Sequence, residues 1–104
     1  MNPIVRYRIE YSQEAVDHLE FFTARDQAII VDAVDRQLAN EPLKETGNRK
    51  PMRPNPIAPW ELRIGTFRVY YDLVDETSGP MVLILAIGVK QRNRIRIGDE
   101  EIAL

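Results

Sequence analysis

Val5, Tyr7, Ile9 and Tyr11 alternate with Arg6, Arg8 and Glu10, a period of two that predicts a half-buried strand. Ser12 follows, and its side-chain oxygen can cap a helix over residues 13–22 that turns Ala15, Leu19 and Phe22 to one face and Glu14, Asp17 and Glu20 outward. Thr23, with Asp26 three residues on, marks a second helix start. That helix, over 24–39, carries Ile30 or Val31, Val34 and Leu38 on its apolar stripe and stops before Glu41-Pro42. Two helices joined so closely make a helical hairpin.

The second half of the chain reads differently. Residues 40–59 hold Pro42, Gly47, Pro51, Pro54, Pro56 and Pro59 among Lys44, Arg49, Lys50 and Arg53, which predicts a basic, partly stiffened loop and no helix or central strand. Two alternating segments then meet at Gly65-Thr66. Gly at the first central position suits a type II′ turn, so Ile64 should face Phe67, Arg63 face Arg68, Leu62 face Val69 and Glu61 face Tyr70. After a turn at 75–80, residues 81–89 form a nearly unbroken apolar run, the mark of a strand covered on both faces in mid-sheet. The order β-α-α-β-β-β predicts a two-layer α+β domain, a helical hairpin on one face of a four-stranded sheet. The helices should cover Leu62, Val69, Tyr71 and Leu73. Arg63, Arg68 and Tyr70 should then lie on the uncovered side, with Lys90, Arg92 and Arg94 entering it from the end of the central strand.

A chain of 104 residues is expected to form one domain, spanning 1–104. It has no cysteine, which excludes disulfides, thiol nucleophiles and thiolate zinc sites. Residues 1–9 lack the apolar block of a signal peptide, and no segment approaches a membrane span. The net charge of −2 hides a segregation into −4 over residues 1–43, +5 over 44–96 and −3 over 97–104. A basic centre can meet a polyanion locally, since salt confines each patch to about 10 Å at 0.1 M; the alternative is ordinary solvated charge. The facing pair Arg63/Arg68 poses the same choice. Like charges directly opposed on a sheet are unfavourable, so the pair either awaits an anion or is neutralised by Glu61, diagonal to Arg68.

The run from Trp60 to Tyr71 is similar to the hairpin W-x-L-R-x-G-x-(Y/F)-R-(V/L)-x-Y of the RelE/ParE superfamily of type II toxin-antitoxin toxins. Ala86-Ile87-Gly88-Val89-Lys90 resembles the V-G-(H/K)-R end of that family's last strand, and the resemblance spans essentially the whole chain. It implies a RelE-like fold and a cytoplasmic toxin with a cognate antitoxin. An acidic antitoxin segment would neutralise the Arg63/Arg68/Lys90 face, or an apolar one would displace the acidic tail near Ile102 and Leu104. The target implied is the ribosome and its messenger RNA, cleaved by a metal-independent endoribonuclease. The alternatives are a gyrase inhibitor and an inactive member that only binds its antitoxin. No small-molecule cofactor and no membrane partner are implied.

Carried over residue by residue, Arg68 matches the hairpin arginine that contacts the scissile phosphate, Arg63 a basic position lining the same surface, and Lys90 the basic residue after the last strand's glycine. Arg49, Lys50 and Arg53 fit phosphate-positioning roles. The chain departs from the family's pattern at Glu61, where some members have lysine, and at Arg94 or Arg96, where several have a catalytic aromatic or histidine. Cleaving RNA without metal needs a base for the 2′-hydroxyl, charge stabilisation and protonation of the leaving oxygen. Arginine supplies the second through planar bidentate contact. Glu61 is the one carboxylate on this face, either a weak base or a salt-bridge partner. Tyr70 either stacks on a base or donates a hydrogen bond, or is simply packed by its neighbours. His18, beside Asp17 and away from the basic face, reads as a satisfied or exposed histidine, and Trp60 as core.

Overall fold

A computed structural model describes residues 6–103; Val5 of the first predicted strand and Leu104 of the acidic tail lie outside the described residues. The first strand, β1 (Arg8–Tyr11), runs into helix α1 (Gln13–Leu19), whose cap Ser12 accepts a hydrogen bond from the Ala15 amide. Helix α2 (Ala24–Leu38) is capped in the same way by Thr23, which accepts from the Asp26 amide. Ile30, Val34 and Leu38 are its fully buried stripe. Both helices cover one face of the sheet, over Leu62, Val69, Tyr71, Val82, Ile84 and Ile87.

The expected hairpin is present with the expected register. β3 (Trp60–Ile64) and β4 (Phe67–Glu76) pair Arg63 with Arg68 and Glu61 with Tyr70. Gly65 has φ +58° while Thr66 keeps a negative φ, as a type II′ turn requires. β5 (Gly79–Gln91) pairs with β4 along one edge. Along its other edge β1 runs parallel to Met81–Ile84, and β6 (Arg94–Ile97) runs antiparallel from Gly88 onward. A bulge between the pairs Tyr70–Ala86 and Tyr71–Ile84 adds Leu85 to β5, so that Leu85 and Ala86 both pack on the face away from the helices.

The sheet has seven strands rather than the expected four. β2 (Arg49–Pro51) lies inside the proline-rich loop and pairs with β3 as an edge strand, the one setting in which Pro51 is tolerated. β6 and β7 (Glu100–Ile102) extend the opposite edge, in the order β2-β3-β4-β5-β6-β7 with β1 beside β5. Nor is the second face uncovered. Ile57 and Ala58 of the loop, with Ile95, Ile97 and Ile102, close over Tyr70 and Ala86 as a small second core. Among the described residues no helix is long and apolar enough to cross a membrane.

On the edge of β5 that faces β1 and β6, Leu85–Ile87 lie between the two and pair with neither, and α1 fills the gap. Ser12 Oγ donates to the Leu85 carbonyl, and His18 Nδ1 accepts from the Ile87 amide at 3.2 Å. An accepting Nδ1 requires a neutral ring with its proton on Nε2. Burial lowers the His18 pKa, against the opposing pull of Asp17, Glu14 and Glu100. A depressed folded-state pKa means that this stabilisation is complete above the unfolded value of about 6.5 and is lost as pH falls through the folded value. Stability should therefore decline on acidification below about pH 6.5 more steeply in the native chain than in His18→Asn, which keeps an acceptor but does not titrate. Parallel urea-denaturation curves against pH would refute this assignment.

Candidate functional site: a cationic groove on the second face

The groove lies between the hairpin, the loop after β2 and the β6–β7 edge, with a volume of about 670 Å³. Its floor follows from strand alternation. On β3 and β4 the residues facing away from the helices are Glu61, Arg63, Arg68 and Tyr70, and Lys50 of β2 stands opposite Glu61. Lys90 of β5 pairs with Ile95, so both face the groove. Five cationic side chains, Lys50, Arg53, Arg63, Arg68 and Lys90, thus line one cavity with the single carboxylate of Glu61. Met52, Ile95 and Ile102 form its apolar wall.

Arg68 is only 8% exposed. Its Nη1 donates to the carbonyls of Gly65 at 2.7 Å and Phe67 at 2.9 Å, which anchors the guanidinium on the hairpin turn. Among the described residues no carboxylate pairs with it, and its Nε and Nη2 donors have no protein partner. The diagonal neutralisation considered from sequence is absent. Glu61, also 8% exposed, instead accepts from Arg63 Nε at 2.8 Å, along the same strand. The opposed pair is relieved by neutralising Arg63, which leaves the charge of Arg68 to the groove.

Four expected site residues are placed elsewhere. Tyr70 has no exposed surface, so it offers no ring face to a base; it packs under Ala58 and Ala86. Burial, followed by the Glu61 carboxylate close to its hydroxyl, raises its pKa. Arg49 pairs with Leu62 and so faces the helix side, where its Nη1 donates to the carbonyls of Gln37 and Glu41, both at 2.7 Å. It satisfies carbonyls at the C-terminal end of α2 and is structural. Arg94 pairs with Gln91, one residue out of phase with Lys90 and Ile95, so alternation turns it to the other face, where it bonds Glu101 at 2.7 Å. Arg92 sits in the β5–β6 turn with φ +59°, in a separate cleft with Arg94 and Glu101. Asn93 and Met52 line the groove although nothing in the sequence singled them out, and Ile102, expected only at the acidic tail, joins them. The alternation of Ile95 and Ile97 before Gly98-Asp99 was the available signal for that wall.

Two helices thus cover one face of a curled sheet, and its far face carries the arginine hairpin. One solved chain, from the crystal structure of the toxin-antitoxin complex RelBE2 of Mycobacterium tuberculosis, is similar to this one at 26% identity and a TM-score of 0.67, covering 83% of this chain and 100% of its own. No family model and no curated protein matches by sequence. The likeness of fold thus extends well beyond the hairpin and the end of β5, over 83% of the chain.

Proposed function

We propose that this protein is the toxin of a toxin-antitoxin pair and arrests translation by cleaving messenger RNA on the ribosome. The observation that carries this reading is the convergence of Arg63, Arg68, Lys90, Lys50 and Arg53 around one carboxylate in an open groove. The likeness to a chain of a toxin-antitoxin complex supports an antitoxin as partner.

The 2′-oxygen of the RNA attacks the adjacent phosphorus, and its proton passes to the Glu61 carboxylate, which Arg63 Nε holds in place at 2.8 Å. Arg68, fixed by the turn carbonyls, directs its remaining donors at the phosphoryl oxygens as negative charge builds there. The 5′-oxygen leaves with a proton donated by the Lys90 ammonium, giving a cyclic phosphate and a 5′-hydroxyl, and Lys90 recovers its proton from solvent. Lys50 and Arg53 bind flanking phosphates, in place of the wider set that included Arg49, Arg92 and Arg94. With so few groups, orientation of the RNA by the ribosome would supply much of the acceleration. Primer extension on a translated reporter messenger RNA should show discrete cleavage sites within minutes of induction, and none when translation initiation is blocked. Growth arrest with intact messenger RNA and induction of the DNA-damage response would instead assign the protein to gyrase.

A further inference from the structure

The fold joins the two acidic ends of the sequence. Glu14 on α1 and Asp99 and Glu100 after β6 all line a second groove of about 470 Å³. Its floor is apolar: Leu85, which the β5 bulge turns to this face, with Ile57 and Ile97. Phe21, just after α1, borders it and is 62% exposed, the most exposed large hydrophobic residue among those described. Glu14, Asp99 and Glu100 make no ion pair among the described residues, whereas Glu10, Glu41, Glu61 and Glu101 all do. Pro56 and Ile102 line both this groove and the cationic one, so the two share a wall.

We propose that this second groove docks a cationic segment of a partner polypeptide, with an apolar residue seated against Phe21, Ile57 and Ile97 and flanking Lys or Arg beside Glu14, Asp99 and Glu100. The acidic rim selects the occupant. A nucleic acid or an anionic lipid surface would be repelled by three carboxylates. A neutral apolar segment would desolvate them without a partner, at a cost that cationic side chains remove. The apolar floor in turn distinguishes an anchored segment from a merely screening cation. This site does not depend on the RNA-cleaving reading, because none of the groups assigned to catalysis lines it.

The test is a titration of the isotope-labelled chain, followed by amide chemical shifts, with a short peptide alternating Arg and Leu. Peptides alternating Arg with Ser and Glu with Leu serve as controls. Shifts are expected at Phe21, Ile57, Gly98 and Glu100, with affinity about tenfold or more above that of either control. The double variant Asp99→Lys/Glu100→Lys and, separately, Phe21→Ser should each weaken binding about tenfold, while Arg68→Ala leaves it unchanged. Phe21 is exposed, so its variant keeps the fold, which circular dichroism verifies. Equal binding of the Arg–Ser peptide, shifts confined to other surfaces, or indifference to both variants would overturn the proposal.

Discussion

Arg68→Ala is expected to reduce RNA cleavage about 100- to 1000-fold, the scale set by loss of one preorganised donor to a transition-state oxyanion. The same change removes two side-chain hydrogen bonds, to the carbonyls of Gly65 and Phe67. With a charged donor each contributes about 1.5–3 kcal/mol, but the Gly65 carbonyl, on an exposed turn, can turn to water instead. The variant should therefore unfold somewhat more readily than the native chain and still be folded, because the stability of a domain is about 5–15 kcal/mol. Arg68→Lys separates charge from geometry: an ammonium restores the positive charge but cannot hold the turn carbonyls and the phosphate with one planar fork. Its cleavage should stay well below native. Primer extension and urea denaturation on the same preparations read the two effects separately. Native cleavage by a folded Arg68→Ala would remove this residue from the chemistry, and full cleavage by Arg68→Lys would reduce its role to charge alone.

The hairpin was legible because two rules coincided there. Strict alternation fixed the faces, and Gly65 at the first turn position fixed the register, so the facing of Arg63 and Arg68 followed without tertiary knowledge. The helices were legible in the same way, with Ser12 and Thr23 as caps and Ile30, Val34 and Leu38 as the buried stripe. The bulge in β5 was not legible, because every residue of 81–87 is apolar and no break in pattern marks Leu85. β6 did leave a signal in Arg94-Ile95-Arg96-Ile97, but the surrounding charge obscured it.

Missing those two strands had a consequence at the site. With four strands the far face would be open, and Tyr70 would be a surface residue; with β6, β7 and the loop closing over it, Tyr70 is core and Arg68 is recessed. Arg49 was misplaced for a different reason. Its partners, the carbonyls of Gln37 and Glu41, are available only once α2 ends near β2, which is a tertiary relation and leaves no trace in spacing. Charge type was readable from sequence, but the partners of each charge were not. Glu61 bonding Arg63 rather than Arg68 decides which arginine is left for a phosphate.

Gly88→Ala is expected to lower stability by about 1–3 kcal/mol, the usual cost of overpacking a site that cannot relax. A Cβ built at Gly88 would lie 2.5 Å from the Arg96 carbonyl oxygen and 2.9 Å from Ile97 Cγ1. The Ile97 side chain can rotate, but the carbonyl belongs to the backbone of β6 and moves only if the strand does. Gly88 has no positive φ, so the penalty is steric, and the glycine is required for the close approach of β6 to β5. Displacing β6 carries Ile95 and β7 with it, and with them the apolar wall of the cationic groove. Amide exchange should therefore quicken across β6 and β7 while β3 and β4 stay protected, because local opening follows the weakened pairs. Gly47→Ala is the matched control: nothing lies within 4 Å of its Cβ, and it should stay within about 0.5 kcal/mol of native. If the two alanine variants denature alike, or exchange in Gly88→Ala rises evenly over the whole sheet, then β6 is not held where the close contact at Gly88 places it.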